Sequence, residues 1–519
     1  MGHYPERKRG ELLMADYLTN DTDLTAVANA IRTKGGTTAP LEFPDEYIQA
    51  INDIQGGGGG GASKKQINFI DYDGTIVQSY TSAEWANVSA LPDNPSHNGL
   101  VAQGWNWTKA QIDAQLTALP DGDIWIGQMY ITESGDTEID VRFSDSARLS
   151  PILTICVNGT VTVDWGDNTT PDTVTGTSLS TRQAASHTYA SAGNYTIVIH
   201  VASGSFRFYG SSTYLLLRKN TTGNENRVYA NCVENVRFGN GVTSIGPSAF
   251  SYCCSLTSIT IPSGVTSIGS SVFNACYSLK SISIPSGVTS IASSTFYTCT
   301  SLSSIAIPSS VTSIESSVFN ACYSLKSISI PSGVTSIENS TFYTCTSLSN
   351  ITIPSGVTSI GDAAFRNCYS LSSITIPSGV TSIGGQAFYN CYSLASIAIP
   401  SGVTSIKSST FYACYSLSSI TIPSGVTSII GDSFNGCSSL SSITIPSSVT
   451  SIGSSVFYGC FGMAEYHILP TNVPTLGTTA FANITSDCKI YVPAGTLSDY
   501  QSAANWSTYA SYMVEENAA

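Results

Sequence analysis

Charge is what this sequence has least of. Charged residues fill only 11% of its 519 positions, under half the usual share. The net charge is −14 and no run of Lys and Arg forms a basic stripe. Phosphate backbones need such a stripe, so nucleic acid is excluded as a partner. No stretch approaches the roughly 18 apolar residues of a membrane span, so no membrane insertion is expected. Histidine is scarce, with five copies. Cysteine is plentiful at 14, but the C-x-x-C spacing of zinc sites is missing, and Cys253-Cys254 does not supply it. Ser, Thr, Gly and Tyr take the place of charge, which implies a polar but largely uncharged surface. The deficit is deepest from Gly241 to Cys460, where four bases (Lys280, Lys326, Arg366, Lys407) meet four acids (Glu315, Glu338, Asp362, Asp432).

What is present in abundance is repetition. Phe recurs every 23 residues from Phe250 to Phe457, with Cys three positions later from Cys253 to Cys460 and Pro in step from Pro262 to Pro446. One unit reads Phe273-x-x-Cys276-x-Ser278-Leu279-x-x-Ile282-x-Ile284-Pro285-Ser286-Gly287-Val288-Thr289-Ser290-Ile291. The L-x-x-I-x-I run alternates as a strand does, with Leu and both Ile inward. Pro285 ends the strand because it has no N–H to donate, and Ser286-Gly287 turns the chain. So short a coil cannot bury its apolar side alone, and stacking on its neighbours supplies the partner. About ten coils at about 4.8 Å each predict a rod or arc of roughly 50 Å.

These residues resemble the BspA-like leucine-rich repeats of bacterial surface proteins, whose units share the "IG..AF..C.SL.SI.IP" pattern. The resemblance spans roughly Val236 to Val492. It includes Ile490-Tyr491-Val492-Pro493-Ala494-Gly495, then Tyr500 and Trp506, which look like that family's C-terminal cap over 466–519. A cap is physically required, since the last coil otherwise exposes an edge. Ladder cysteines are expected to point in parallel into the core as buried thiols acting as small hydrophobes. No metal and no cofactor is expected. Reduced thiols fit synthesis in a cytoplasm.

The fold class expected is mainly β. A leucine-rich-repeat solenoid of 23-residue repeats is preceded by an immunoglobulin-like β-sandwich, a small α/β domain and a short helical N-terminal segment. Residues 1–13 carry Arg7, Lys8 and Arg9 but no apolar stretch, so they do not read as a secretory signal. Residues 14–55 read as two short amphipathic helices. Leu24, Val27, Ala28 and Ile31 line one, which Gly35-Gly36 stops; Tyr47, Ile48, Ile51 and Ile54 line the second, opened by Pro44. Helices this small need something to dock on. Residues 56–63, with Gly56 to Gly61, form a flexible linker. This opening, from Asp16 to Ile54 and on into poly-Gly, resembles the N-terminal attachment segment of tail proteins from phages of gut Gram-positive bacteria. That resemblance implies phage tail or baseplate proteins as partners of residues 14–55.

Residues 64–140 form the small α/β domain, with strands at Ile67–Ile70 and Ile76–Tyr80 and a helix beginning near Lys109. Its Asp71-Tyr72-Asp73-Gly74-Thr75 matches the D-x-D-G-T nucleophile loop of haloacid-dehalogenase-like phosphatases. That family also needs a doubly wound core, a downstream Lys and a later acidic pair for Mg²⁺, for which the region is too short. A hairpin turning at Asp73-Gly74 accounts for the same residues. Over 141–205, Val161-Thr162-Val163-Asp164-Trp165-Gly166-Asp167 and His187-Thr188-Tyr189 with Tyr195-Thr196-Ile197 resemble the two signatures of polycystic-kidney-disease-type sandwiches. Asp164 and Asp167 are expected to fix a turn, with calcium binding as the alternative, and His187 and His97 to be structural. Residues 206–240 are transitional and supply the first coil's cover, and 241–465 are the solenoid.

Two ordered surfaces are candidates for binding. One is the strand face, with Ser258, Ser281, Ser304, Ser327, Asn350 and Ser373 beside Thr260, Ser283, Thr352, Thr375 and Thr421; solubility alone also explains these hydroxyls. The other is aromatic. Tyr277, Tyr323, Tyr369, Tyr392 and Tyr415 follow the ladder Cys, and Tyr297, Tyr343, Tyr389, Tyr412 and Tyr458 follow the ladder Phe. Tyr offers broad contact at low entropy cost with a polar tip, which suits an uncharged glycan or a protein. The function expected is that of a non-enzymatic phage tail fibre or receptor-binding protein in the virion. It would be trimeric, gaining by avidity, and would recognise a bacterial surface glycan or protein. The alternative is a BspA-like cell-surface adhesin; a phosphatase is the remote third. Arg9-Gly10-Glu11 is encodable by a purine-rich run resembling a ribosome-binding site two codons before Met14. Native protein is therefore expected to begin at Met14, and intact-mass analysis finding Met1 refutes this.

Overall fold

The computed structural model describes residues 66–118, 123–210, 216–218 and 229–516. The leader, the attachment helices and the glycine linker expected over 1–63 lie outside the described residues. No described helix is long and apolar enough to cross a membrane.

The first element is a hairpin of β1 (Gln66–Ile70) and β2 (Ile76–Thr81). Asp71 N donates to Thr75 O at 2.9 Å, and Gly74, at φ +88°, supplies the left-handed turn residue that only glycine adopts freely. Thr81 then caps a one-turn helix, α1 (Ser82–Trp85), through a reciprocal bond pair with Glu84. β3 (Leu100–Trp105), α2 (Lys109–Ala118) and β4 (Ile124–Thr132) follow. The strand order is β2-β1-β4-β3, with only β1 and β4 parallel. This mixed sheet is not a doubly wound phosphatase core. Asp71 serves the turn: one carboxylate oxygen lies 2.6 Å from His97 Nε2 and the other accepts Tyr72 N at 2.8 Å. Phe69, Trp85, Trp107, Ile112 and Ile126 form the sheet's own apolar core.

The next strands are β5 (Thr137–Phe143), β6 (Ile152–Asp164), β7 (Asp172–Ser186), β8 (Gly193–Phe208), β9 (Leu217–Arg218) and β10 (Val233–Arg237). They differ from the separate sandwich expected over 141–205. All six belong to one seven-stranded sheet whose seventh strand is Ser258–Thr260 of the first coil. β5 pairs with β8 on one side and with β10 on the other, so boundaries at 141 and 205 cut through strands. One apolar core runs from Ile139 through the solenoid to Met513. The signature residues act as expected. Gly166 N donates to Asp164 at 2.8 Å, and Thr169 Oγ1 to Asp167 at 2.6 Å. His187 stacks on Trp165 and lies 2.7 Å from Asp167.

From Gly241 onward each coil repeats the one before in register. Ile282 pairs with Ile305, Ile328 with Ile351 and Ile397 with Ile420, all parallel. A second column of two-residue strands runs beside them, as in Ser290–Ile291 against Ser313–Ile314. The Phe rings from Phe250 to Phe457 stack at 5.4–5.7 Å with planes within 12°. Each ladder thiol from Cys276 to Cys460 donates to the carbonyl of the preceding coil's Phe at 3.1–3.2 Å. The column is therefore one of buried, hydrogen-bonded thiols, and all fourteen cysteines are unbridged. Beyond Cys460 degenerate coils continue the strand face at Glu465–Ile468 and Lys489–Val492, and Met513–Glu515 closes it. Tyr500 and Trp506 fill the end of the core, donating to Pro470 O and Pro474 O.

Burial pushes the ladder thiols well above the ordinary thiol range, Cys460 to about 12. A folded-state pKa raised this way contributes stability that is fully present below about pH 9, where an unfolded thiol is protonated, and is lost as pH rises towards 12. Urea midpoints are expected to hold between pH 6 and 8 and to fall steadily above about pH 9. In native protein at pH 8, Ellman's reagent is expected to reach quickly at most Cys254, the one half-buried thiol, and all fourteen after unfolding.

Candidate binding surfaces

The strand face is expected to be open along its whole length, and the structure corrects this. The four-stranded sheet lies across the first coils. The β4 glycine, Gly127, comes so close that a Cβ there would sit 1.9 Å from Ser283 Oγ. Tyr72 O accepts from Ser281 Oγ at 3.2 Å. Beneath this cover Ser281 is 1% exposed and Ser304 6%; Thr260, Ser283 and Ser329 are buried too. Their later counterparts Thr375, Ser396, Ser419, Thr421, Ser442 and Thr444 are exposed. The change falls between Thr352 and Thr375.

Apart from the Ser281 bond to Tyr72 O, the strand hydroxyls contribute little to holding the cover in place. Thr260 Oγ1, Ser283 Oγ and Ser329 Oγ are buried with no protein hydrogen-bond partner. The bonds go instead to backbone carbonyls at the strand ends. Asn106 Nδ2 donates to Ile284 O at 3.0 Å and Ala306 O at 3.1 Å. Trp107 Nε1 donates to Ile307 O at 2.9 Å. Gln115 spans a whole corner: its Nε2 donates to Ile330 O at 3.0 Å while its Oε1 accepts Ser332 N at 3.2 Å. Gln103 Oε1 accepts Ser263 N at 2.8 Å. Sequence reasoning missed this docking. The available signal was Gly127 in the middle of an apolar strand, a common mark of close approach by another segment.

The ten tyrosines do not form one surface. Identical residues at the same position in adjacent coils must stack, and coils six to eight do so. Tyr369 stacks on Tyr392 at 4.8 Å and Tyr392 on Tyr415 at 5.0 Å; Tyr389 stacks on Tyr412 at 4.4 Å. Stacking covers ring faces and leaves edges and hydroxyls outward. Arg366 interrupts the second column, its guanidinium 5.6 Å from the Tyr343 ring and 4.3 Å from that of Tyr389, and donates to Gln386. Tyr277, Tyr323, Tyr415 and Tyr458 are exposed, and Tyr297 and Tyr343 are half-buried. Burial raises the Tyr369, Tyr389 and Tyr392 hydroxyls above the ordinary phenol range. Elsewhere a shallow polar concavity is lined by Asp140, Asn194, Thr196 and Asn235, with the Asp140 carboxylate held by Arg237 at 2.6 Å and 2.9 Å.

Removing a cap should leave a buried carbonyl unpaired, at about 1–3 kcal/mol. Gln115→Leu and Asn106→Leu are each expected to lower unfolding free energy by that much in urea titrations. Thr421→Val, on the open coils, should change it by less than about 0.5 kcal/mol.

Comparison with known proteins places this architecture. The family described as BspA type leucine rich repeat region matches residues 200–325, 312–434 and 404–508, together more than half of the chain. Similar solved structures include a leucine-rich repeat protein from Bacteroides ovatus, 25% identical over 61% of this chain and 97% of that one, TM-score 0.36. A leucine rich cell surface protein from Faecalibacterium prausnitzii is 28% identical over 59% and 94%, TM-score 0.36. The leucine rich repeat protein of T. pallidum is 33% identical over 31% and 77%, TM-score 0.30. No curated protein matches the chain.

Proposed function

The chain belongs to the BspA-type leucine-rich repeat family, and from that premise we propose that it is a cell-surface adhesion protein that binds through its later coils. The observation that carries this reading is the asymmetry of the strand face. Coils built from one repeated sequence have one half closed by the chain's own sheet and the other half exposed. The open half carries serine and threonine hydroxyls with the stacked tyrosines of coils six to eight on the same coils. This surface bears little charge, so recognition rests on hydrogen bonds and shape, and the partner is a largely uncharged protein or glycan. The role is binding without turnover. The one motif with catalytic character, Asp71 to Thr75, is spent on a turn packed against Ser281.

A second setting for the same surface is a phage tail fibre recognising a bacterial envelope. The resemblance of Asp16–Ile54 and the following poly-Gly to tail attachment segments supports it. In that setting residues 14–55 join the tail, and trimerisation multiplies weak contacts. Immunogold labelling separates the settings, placing the chain either on the bacterial envelope or on particles.

Full-length protein is expected to bind saturably to Gram-positive bacteria or cultured epithelial cells in flow cytometry. Ser396→Arg and Thr421→Arg, on the open strand face, should each weaken binding at least about tenfold, as a buried unpaired charge does. Thr312→Arg, exposed one residue before the other strand column, should leave it unchanged. Equal binding by all three variants contradicts the proposal.

A further inference from the structure

The prolines of the repeat do more than end strands. In this parallel stack a strand-end carbonyl accepts from the N–H of the residue 24 positions on, as Ile245 O does from Gly269 N and Ile337 O from Gly361 N. For the Ile before each Pro, the residue 24 positions on is the next coil's Pro, which has no N–H. Ile284 faces Pro308, Ile307 faces Pro331 and Ile330 faces Pro354. The structure holds its own control. Where the repeat drifts and Leu469 stands in that place, Leu469 N donates to Ile445 O at 3.0 Å. Each Pro thus orphans one carbonyl of the coil before it.

The chain's first domain reads this column of acceptors, from a strand, a loop and a helix. Phe238 O, orphaned by Pro262, is taken by Thr132 N at 2.9 Å. Ile284 O goes to Asn106, Ile307 O to Trp107 and Ile330 O to Gln115; Ile261 O is passed over. The next four carbonyls in file, on Ile353, Ile376, Ile399 and Ile422, face Pro377, Pro400, Pro423 and Pro446 and have no hydrogen-bond partner among the described residues. Two residues after each stands Ser355, Ser378, Ser401 or Ser424, exposed and with its N–H likewise unused among the described residues. These four corners repeat the one that Gln115 grips with both atoms of its amide.

We propose that the Ile-Pro-Ser corners of coils five to eight are a file of four primary-amide sites, and that their occupant is a β-structured protein presenting Asn or Gln side chains in register. Two arguments select that partner. Adjacent β-strands lie about 4.7–4.9 Å apart, the same interval that separates adjacent coils, so a row of amides across a sheet meets the corners one to one. A primary amide carries an N–H on the same side as its C=O and closes both bonds at one corner, as Gln115 does. A secondary amide is trans; its N–H and C=O point apart, and an N-acetyl sugar therefore reaches only one of the two. The cover on coils two to four is thus a template, within one chain, for what the open coils take from another molecule.

This deepens the reading that the later coils bind, but its test uses no cells, so either can fail alone. In full-length protein with ¹³C-carbonyl Ile and ¹⁵N-Pro, nine Ile–Pro carbonyls are selected, from Ile261 to Ile445. On titration with propionamide, Ile353, Ile376, Ile399 and Ile422 are expected to shift and saturate, while Ile284, Ile307, Ile330 and Ile445 stay still. N-methylacetamide is expected to bind about fivefold more weakly, the loss of one neutral hydrogen bond. In Pro400→Ala a new N–H fills Ile376 O, so its response should vanish while those of Ile353 and Ile422 persist. Uniform shifts over all nine, equal affinity for the two amides, or an unchanged Ile376 response in P400A each overturn the proposal.

Discussion

Everything in this molecule depends on each coil lying in register on the one before. A coil of 23 residues cannot close a core, and it exposes both edges of every strand it makes. Only exact repetition of side chains at the same height satisfies both needs. Phe meets Phe, Ile meets Ile, and each thiol reaches the carbonyl one coil back. The cost is strain at defined places. Each Phe from coil one to coil eight is flanked by two residues in left-handed backbone, such as Ser271 and Ala275 beside Phe273, and left-handed backbone disfavours residues with a Cβ. Gly436 and Gly459 occupy that position in the last two coils.

The same register explains why the solenoid was legible in the sequence and the binding surface was not. Periodicity fixes the inward residues, the strand ends and the fate of the cysteines, because these follow from one coil meeting its copy. It says nothing about which coils a different segment will cover. The strand hydroxyls read alike from Ser258 to Thr444, yet Ser304 is buried and Ser419 exposed. That difference is written in Asn106, Trp107, Gln115 and Gly127, far away in sequence and outside any repeat. The tyrosines show the complementary limit. Their spacing places them on one flank, but only the neighbours at 366, 389 and 412 decide whether a ring face is stacked, filled by a guanidinium or left free. The region over 141–205 was legible as strands and turns. Its fusion to the solenoid was not, because nothing in the repeat pattern says that β10, at the edge of the repeats, also pairs antiparallel with β5.

A solenoid whose strand ends are proline also solves an edge problem. Proline stops each strand after a few residues, so no long flat edge is presented for pairing with other chains. In exchange it leaves one unpaired carbonyl per coil. The chain uses that by-product where the loop after β3 and helix α2 cap Ile284, Ile307 and Ile330. The adhesion proposed for the later coils draws on the same chemistry, since the sheet that closes one half of the face does not reach the other.

The division of the strand face into closed and open halves is the claim on which the functional account stands. It is tested most directly by placing one thiol at the same repeat position on either side of the boundary. In full-length protein, Ser304→Cys (coil three) and Ser419→Cys (coil eight) differ only in what lies above them. Maleimide is predicted to modify S419C at the rate of an exposed thiol and to spare S304C until the protein unfolds. Equal rates at the two positions in folded protein would contradict the account.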